Sequence, residues 1–308
     1  MSSPVRSVIA LVNPNSRNGA GRATATAAVD ALRRRGVQVV TRTGLDASDA
    51  RVAAAEAVRS DVDAVVVIGG DGTIGPVLDA ARGTDTRIGL IPAGTGNDHA
   101  RALDIPTDDP EAAVDIVVAG HSRRVDLGLI TSTAGEFVFG TVAAIGLDAA
   151  VTKRAVGMRR PRGQSRYALA AVAEIMALAP RHFRVTVDDE SWEMDLVMAS
   201  VGNTPSYGGG MRICPDAVID DGLLDVTLVE YAPRRRLLRL FPTIYSGTHV
   251  SRPEVHTMRG RRIVIESGVP APASADGDLM GTTPVTVEVL PAAIDFLVPP
   301  SHGITSRL

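Results

Sequence analysis

Cysteine and lysine are scarce in this sequence, and long apolar runs are missing. Cys214 is the single cysteine among 308 residues, so no disulfide can form within the chain, and we expect a reducing compartment and a core position for this thiol. Lys153 is the single lysine, so chemistry that needs a lysine amine has one candidate. The most apolar stretch, Tyr167–Ala179, contains Glu174 and is shorter than the roughly 20 residues of a membrane-spanning helix.

A strong net charge is also missing. The formal net charge is −3, which provides no overall basic field for binding nucleic acid. The six histidines lack metal-ligand spacing, so we expect no zinc site. The first residues lack the cleavage pattern of a signal peptide, and we predict none. With 45% hydrophobic residues over 308, the chain can form about two domains, each with its own core.

The first part of the chain alternates between apolar runs and alanine-rich stretches. This alternation predicts strands and helices that follow one another, which is typical of a mostly parallel sheet covered by helices. We predict an α/β nucleotide-binding domain over residues 1–123. Its predicted strands are Val8–Val12, Val37–Val40, Ala64–Ile68 and Ile88–Ile91, and its predicted helices are Ala23–Arg35, Ala47–Arg59 and Pro76–Ala81.

After residue 123 the pattern changes to short segments rich in β-formers and turn residues. We predict a β-rich, sandwich-like domain over 124–291, with helices near Tyr167–Ala179 and Arg234–Tyr245 and a loop at Val269–Ala275. Residues 292–308 contain an apolar segment, Ile294–Val298, that is expected to return to the first domain. The predicted strands are Arg123–Ile130, Glu136–Ala144, Phe183–Val187, Asp195–Val201, Leu223–Val229, Arg262–Glu266 and Val285–Leu290.

A glycine-rich segment, Gly69–Thr73, directly follows the buried strand Ala64–Ile68. It precedes a helix that Pro76 is expected to begin. Glycines at such a position let backbone amides approach phosphate oxygens, and Thr73 adds a hydroxyl donor. Asp71 supplies a hard oxygen suited to Mg²⁺. Alone, the segment is equally consistent with a tight turn that Asp71 caps.

Two further loops end neighbouring strands of the same predicted sheet. Pro92–Asp98 follows the strand Ile88–Ile91, and Asn13–Gly19 follows the first strand, with Arg22 opening the next helix. Parallel strands deliver their carboxyl ends to one crevice, so we expect all three loops to meet there. Neither the P-loop pattern nor the dinucleotide-binding glycine fingerprint is present.

The order of motifs along the chain resembles the diacylglycerol kinase catalytic family, which includes bacterial lipid kinases, sphingosine kinases and ceramide kinases. The resemblance extends over nearly the whole chain. The motifs that carry it are Asn13-Pro14, Gly69–Thr73, Ile91–Asp98 with Ala100-Arg101, Val125–Gly128, Gly146–Ala149, Gly208–Gly210, Pro215, Asp221–Val226 and Asp276–Asp278.

The resemblance implies an ATP- and Mg²⁺-dependent lipid kinase that phosphorylates a diacylglycerol-like hydroxyl. The resemblance implies catalytic roles for Asp71, Asp276 and Asp278. Of these, Asp276 and Asp278 form the acidic pair that would activate the acceptor hydroxyl. The metal-binding set would be Asp71 and Asp98 for the catalytic Mg²⁺, and Asp221 with the carbonyls of Val218 and Leu223 for a structural cation. The residues implied for ATP are Asn13, Pro14, Asn15, Ser16, Arg17, Thr43, Gly69, Gly70, Asp71, Gly72, Thr73, Gly75, Gly94, Thr95, Gly96 and Asn97.

The chain departs from the family pattern at two places. Asp276-Gly277-Asp278 replaces the usual Asp-Gly-Glu, which shortens the second carboxylate by one methylene and leaves open which aspartate is the base. After Thr73, Ile74-Gly75-Pro76 stands where the family usually has a hydrophobic residue, Asn and Glu. A contact made by that Asn side chain is therefore absent, although Gly75 can still offer its backbone. Both altered ATP handling and a degenerate family member are consistent with this change.

Two basic segments suggest contact with a lipid surface. Lys153–Arg162 is expected to form a loop, and Arg234–Phe241 is either a basic amphipathic helix at the interface or a helix that packs Leu237, Leu240 and Phe241 on a sheet. We expect a cytoplasmic protein associated peripherally with the inner face of the membrane, without nucleic-acid partners, and a possible homodimer.

Two other functions are consistent with the sequence. One is a soluble kinase of the NAD kinase type, which shares the Gly-Gly-Asp-Gly motif and the two-domain plan. Its second glycine loop has a different pattern from Gly94–Asp98, and Asp276–Asp278 has no counterpart that can be placed there. The other is a regulatory nucleotide- or lipid-binding protein in which the Gly75-Pro76 substitution has damaged turnover.

Overall fold

The computed structural model describes residues 3–13, 20–44, 46–158 and 164–300. It has a mixed α/β fold that divides into two compact units. The first unit combines Met1–Val125 with the C-terminal Ala293–Leu308, and the second is Asp126–Ala292. Each unit is described here by itself.

The first unit is a parallel sheet with helices between its strands. Hydrogen bonding gives the order β15, β4, β3, β1, β2, and each neighbouring pair is parallel. The strands are β1 (Ser7–Val12), β2 (Gln38–Thr43), β3 (Ala64–Gly69), β4 (Arg87–Pro92) and the last part of β15 (Val285–Leu297), and the helices are α1 (Ala20–Arg34), α2 (Ala47–Val58), α3 (Asp71–Ala81), α4 (Asp98–Ala102) and α5 (Pro110–Ala119).

Local sequence explains the boundaries of these elements. Every residue of β3 is buried, as expected for a central strand with both faces covered. The side chain of Asp46 caps α2 by accepting hydrogen bonds from the amides of Ser48 and Asp49. Asp109 caps α5 in the same way, and Gly120 ends that helix in the left-handed conformation. Buried strands and capped helices therefore fix the positions of the strand ends at which the glycine loops begin.

The second unit is β-rich and mostly antiparallel. Its main path runs β14, β13, β7, β9, β8, β12, β15, while β10 pairs with β9 and β11, and β5 pairs with β6 and β15. The strands are β5 (Ser122–Ser132), β6 (Gly135–Phe139), β7 (Val142–Gly146), β8 (Arg181–Val187), β9 (Glu190–Gly202), β10 (Leu224–Glu230), β11 (Val255–Gly260), β12 (Arg262–Ser267), β13 (Pro272–Ala275), β14 (Asp278–Thr282) and β15, and the helices are α6 (Leu147–Gly157), α7 (Gln164–Ala177), α8 (Arg234–Leu240) and α9 (Thr243–Ser246).

Two apolar clusters form most of the core of this unit. One lies among the strands and includes Phe139, Phe183 and Ile263, all of which are buried. The other includes Ile175 of α7 and Leu237 and Leu240 of α8, together with Cys214, whose burial was predicted. No helix among the described residues is both long and apolar enough to cross a bilayer.

Three predicted element boundaries are wrong. The helix expected to begin at Pro76 begins at Asp71, because Gly70 is extended and Pro76 is accommodated inside α3. The segment Val269–Ala275, expected to be a loop, contains the strand β13, whose small residues are buried. The single strand expected at Glu136–Ala144 is two strands, β6 and β7.

The helical predictions in the second unit are also incomplete. The helix expected over Arg234–Tyr245 is divided into α8 and α9 near Pro242, which precedes α9. Helix α6 was not predicted, because no capping side chain stands at Gly146. It includes residues 153–157, so the loop expected over Lys153–Arg162 is wrong for that part of the segment. For Arg234–Phe241 the packing alternative is the one observed, since Leu237 and Leu240 are buried.

Candidate active site

The glycine loops of the first unit leave the sheet at adjacent positions. Strand β3 lies between β1 and β4, and the register pairs Val12 with Ile68 and Gly69 with Pro92. The strands therefore end at the same level of the sheet. Asn13, Gly70 and Ala93, which follow the three strands, consequently share one edge, as predicted for loops at the carboxyl ends of parallel strands.

The backbones of two loops touch at Gly70 and Gly94. A Cβ atom added to Gly70 would lie 2.8 Å from the Cα of Gly94, and one added to Gly94 would lie still closer to the Cα of Gly70. No side chain can be accommodated at such distances without moving backbone. The two glycine motifs are therefore parts of one structure, and each requires glycine because of the other.

Asn97 holds the second loop in shape. Its side-chain Oδ1 accepts a hydrogen bond from the Gly94 amide at 2.9 Å, and its Nδ2 donates to the Gly94 carbonyl at 3.0 Å. Asn97 is buried and has left-handed backbone angles, φ 57° and ψ 41°. Asparagine tolerates this conformation better than most residues, which explains its place in the motif.

Asp71 is held by the residue that follows the second glycine loop. Its Oδ1 lies 3.1 Å from the His99 Nδ1 and 3.3 Å from the His99 amide nitrogen. Because a carboxylate only accepts, His99 carries the hydrogen on Nδ1. Sequence analysis assigned no role to His99. The sequence did place His99 next to Asp98, beside a loop expected to face Asp71, and this position could have indicated the contact.

A small cavity of about 10 Å³, roughly the size of one water molecule, lies at this edge. Its lining is mostly apolar and consists of Val67, Gly69, Gly70, Asp71, Ile74, Leu90, Ile91, Pro92, Asn97 and Ala100. The first turn of α3 presents backbone amides there, and a helix N-terminus favours anions. The carboxylate of Asp71 adds a hard oxygen, so the donors along this edge of the sheet, rather than the cavity itself, fit a phosphate group accompanied by Mg²⁺.

Thr73 and Gly75 belong to helix α3 rather than to a loop. The Thr73 hydroxyl accepts a hydrogen bond from the Asn13 Nδ2 at 3.4 Å, which joins the first and third strand ends. Gly75 faces open space, since a Cβ atom there would meet nothing within 4 Å. The same is true of Gly72.

The other predicted nucleotide residues have different surroundings. Thr43 ends the edge strand β2 and is exposed, and Thr95 is exposed in the second loop. The Gly96 carbonyl accepts hydrogen bonds from the Arg101 guanidinium at 3.1 and 3.3 Å. The predicted contacts of Pro14, Asn15, Ser16 and Arg17 lie outside the described residues.

Asp98, predicted to bind metal, is buried. Its side chain is 5% exposed and lies 3.9 Å from the Arg101 Nε. It is absent from the described lining of the cavity, unlike Asp71. Direct coordination by Asp98 therefore stays a prediction.

In the second unit, Asp276 and Gly277 form the tight turn between β13 and β14. Both have positive φ angles, 48° and 87°, which is typical of the turn that an Asp-Gly pair favours in a hairpin. The Asp276 carboxylate accepts hydrogen bonds from the Gly140 amide at 2.8 Å, the Thr141 amide at 2.8 Å and the Thr141 hydroxyl at 2.5 Å. Asp276 therefore satisfies the backbone amides of Gly140 and Thr141, the two residues that lie between β6 and β7.

Asp278, two residues later, has a different environment. It begins β14 and is exposed. Its pKa is raised, because surrounding groups displace part of its hydration and because the charge of Asp276 opposes its ionisation. A carboxylate whose pKa is raised and which remains accessible has the properties of a general base.

The predicted structural cation site contains an ion pair. The Arg259 guanidinium contacts Asp221 Oδ2 and lies 3.1 Å from Asp225 Oδ2, while Asp221 Oδ1 accepts from the Leu223 amide at 3.1 Å. Both oxygens of Asp221 thus have partners, and Arg259 competes with any cation for this carboxylate, so the structural cation at Asp221, Val218 and Leu223 stays a prediction. No cluster of three or more acidic, histidine or cysteine ligands occurs within the described ranges.

Asp126 explains another motif shared with the family. It is buried, and its carboxylate accepts hydrogen bonds from the amides of Gly222 and Ala292, each at 2.7 Å. It therefore fixes the Asp221-Gly222 turn. Sequence analysis noted Val125–Gly128 as a motif but did not assign this role, because the partners are 96 and 166 residues away.

Comparisons with known proteins identify the family of this chain. The diacylglycerol kinase catalytic domain model matches residues 7–130, and the YegS C-terminal NAD kinase beta sandwich-like domain model matches residues 140–298. A protein of Mycobacterium tuberculosis named "Diacylglycerol kinase" is 48% identical over 299 residues, which cover 96% of each chain. The chain belongs to the diacylglycerol kinase family of bacterial lipid kinases.

Two more distant proteins are similar to this chain over most of its length. A protein of Xanthomonas campestris named "Probable lipid kinase YegS-like" is 32% identical, with coverage of 88% of this chain and 90% of that protein. A crystal structure of a diacylglycerol kinase from Bacillus anthracis has a TM-score of 0.73 at 20% identity and covers 97% of this chain and 98% of its own. That structural likeness shows the fold.

Proposed function

We propose that this lipid kinase transfers the γ-phosphoryl group of ATP, with Mg²⁺, to the hydroxyl of a diacylglycerol-like lipid, giving a lipid phosphate and ADP. The family and the name of the Mycobacterium tuberculosis relative support the substrate class. The observation that carries the proposal is the backbone contact of Gly70 with Gly94, which brings Asp71 and the two glycine loops together at one edge of the sheet.

In this proposal the phosphates of ATP lie against the first turn of α3. The amides of Gly70 and Gly72 and those of Thr95 and Gly96 would provide neutral donors, while the Thr73 and Gly94 amides hold the loops in shape by donating to the Gly70 carbonyl and to Asn97 Oδ1. Asn13 and Thr43, at neighbouring strand ends, extend the binding edge toward the nucleoside. Pro14–Arg17 and Gly75 complete the nucleotide set.

Asp71 would hold Mg²⁺ at this edge of the sheet. The ion, when bound, neutralises charge that develops on the transferred phosphoryl group. His99 donates its Nδ1 hydrogen to Oδ1 of Asp71, which fixes the carboxylate plane. Asp98 would assist from the adjacent position, while the structural cation at Val218, Asp221 and Leu223 remains the least supported part of the metal set because of Arg259.

The base is assigned to Asp278 rather than to Asp276. Three hydrogen bonds to the backbone and hydroxyl of the Gly140–Thr141 segment occupy Asp276, so a proton on its carboxylate would have to displace one of them. Asp278 is accessible, and its raised pKa makes it a stronger base than an ordinary aspartate. Asp276 would act as a positioning residue that fixes the hairpin carrying Asp278.

The substrate class implies where the protein acts. A diacylglycerol-like lipid resides in a bilayer, so we propose peripheral association with the cytoplasmic face of the membrane and a role in phospholipid metabolism. The homodimer expected from the sequence stays a prediction.

Phosphate transfer from radiolabelled ATP to a panel of lipids in mixed micelles tests the function. We expect a labelled lipid with the wild type and none with Asp71→Ala or Asp278→Asn. ATP binding without labelling of any lipid would overturn the proposal, and NAD phosphorylation would then be tested with the same preparation.

A further inference from the structure

In the part of helix α7 whose side chains the structure describes, residues 169–177, the outward face is apolar, unlike that of an ordinary surface helix. Its outward side chains Leu169, Val172 and Met176 are 51%, 45% and 55% exposed. Within these described residues the charged side chain of Glu174 is only 20% exposed and pairs with the Arg154 Nε at 2.5 Å. Surface helices normally bury their apolar stripe and expose their charges.

This exposed stripe is not a consequence of an incomplete core. On the inward face, Ala170, Ala171 and Ile175 are buried against neighbouring elements that include α6. Positions 169, 172 and 176 recur at spacings of three and four, so they form one line along the helix. The helix thus has two apolar faces, one packed and one unpartnered within the described residues.

Helix α8 places positive charge beside this stripe. It packs against α7, and the Arg234 guanidinium donates to the Leu178 carbonyl at 3.4 Å. Leu237 and Leu240 anchor α8 in the core, which leaves Arg235, Arg236 and Arg239 exposed. None of these three arginines has an acidic partner in the part of the chain that the structure describes.

We infer that α7 and α8 together form a docking surface for an anionic lipid leaflet. This α7–α8 surface consists of Leu169, Val172 and Met176, which would enter the acyl boundary, and Arg235, Arg236 and Arg239, which would contact lipid phosphates. The inference rests on the proposed function, because a lipid kinase must reach a substrate that stays in the bilayer.

Charge complementarity favours a membrane over a second copy of the chain. In a symmetric dimer the same patch faces itself, so the three arginines would approach the arginines of the other copy. An anionic leaflet supplies neutralising phosphates and an apolar layer at the same time. The lipid leaflet therefore complements both the apolar residues and the arginines of the α7–α8 surface.

Co-sedimentation with vesicles tests the surface directly. The full-length wild type is expected to bind vesicles of phosphatidylcholine mixed with phosphatidylglycerol more tightly than pure phosphatidylcholine, and less tightly as salt is raised. Val172→Asp with Met176→Asp should weaken binding at least about tenfold, since two apolar side chains are lost from the membrane. Arg235→Glu with Arg236→Glu should weaken it by about fivefold or more per residue, only on anionic vesicles.

Matched control variants lie on α2 in the first unit. Val52 is 56% exposed and Arg51 is also exposed, so Val52→Asp with Arg51→Glu makes the same chemical changes elsewhere. These controls should bind vesicles like the wild type. Unchanged thermal unfolding midpoints for all variants would show that folding is retained.

Three outcomes would contradict the inference. They are equal binding of the α7 variant and the wild type, equal loss with the α2 controls, and a change of oligomeric state by light scattering in the α7 variant, which would assign the stripe to a second copy. A wild type that binds vesicles through this surface but phosphorylates no lipid would leave the surface intact and overturn only the kinase proposal.

Discussion

The glycine loops of the first unit and the Asp276–Asp278 hairpin of the second use their motif residues in opposite ways. At Gly70 and Gly94 the important property is that no side chain is present, because the two backbones touch. In the hairpin, side chains matter, and two aspartates two residues apart have different tasks. One is consumed by hydrogen bonds and the other is accessible. A motif residue can therefore be required either for the backbone approach that it permits or for the chemistry of its side chain.

The strongest test of this comparison is Asp278→Asn. If Asp278 is the base, its loss should lower kcat by about 10²–10⁴-fold, the range usual for general-base removal. Stability should change by less than about 0.5 kcal/mol, because the side chain is exposed. Phosphate transfer at saturating ATP, combined with urea unfolding, measures both quantities.

The matched variant is Asp278→Glu, which restores the glutamate usual in the family and should retain activity. An Asp278→Asn enzyme with nearly normal kcat would mean that the base lies elsewhere.

Gly94→Ala tests the geometric half of the comparison. The added methyl group would overlap the Gly70 backbone, and we expect a loss of about 3 kcal/mol or more of unfolding free energy, at the upper end of overpacking costs. Urea unfolding monitored by circular dichroism measures this loss. Gly72→Ala is the control, because its methyl group meets nothing within 4 Å and alanine favours a helix, so its stability should not fall. Equal stabilities would show that the two loops do not touch in solution.

Asp276→Ala should lower the free energy of unfolding much more than Asp278→Ala does. It removes an acceptor of three hydrogen bonds and places alanine at a φ of 48°, so we expect a loss of about 2–3 kcal/mol. Asp278→Ala should lose far less. Unfolding curves of the two variants in the same buffer decide the point, and equal losses would remove the distinction between a positioning and a catalytic aspartate.

The pH profile gives a smaller effect. A general base must be ionised to accept a proton. Because the pKa of Asp278 is raised, kcat/KM should decrease on the acidic side at a higher pH than it would with an ordinary aspartate. Asp276→Asn removes the opposing charge, which lowers the pKa of Asp278 and moves this decrease to lower pH. A decrease that stays in place would mean that Asp276 does not influence the titrating group.

Gly75→Asn is the mildest change. It restores the side chain that the family usually has, at a position with open space, and one added hydrogen bond to the nucleotide should lower the KM for ATP by about two- to fivefold. Gly83→Asn, also in open space and at a left-handed position that asparagine tolerates, should leave this KM unchanged. An unaltered KM in Gly75→Asn would mean that the departure from the family pattern has no effect on ATP binding.

The parallel sheet and the meeting of its loops could be predicted because both depend on local patterns. Continuous Val and Ile runs mark buried strands, and glycines at their ends mark close backbone approach. The partners of the acidic residues could not be predicted, since His99 is 28 residues from Asp71 and Arg259 is 38 residues from Asp221. The strand β13 was missed because alanine and serine carry little β-propensity, and its burial arises from pairing with β7 and β14.

The contact between Gly70 and Gly94 also bears on inhibition. A compound that binds there by hydrogen bonds to the backbone would use atoms that every amino acid possesses. A resistant variant would need a new side chain at one of these glycines, and that side chain would break the loop on which the enzyme depends. Substitutions that leave this backbone contact intact are possible only at positions outside the two glycines, such as the exposed Thr95 of the second loop.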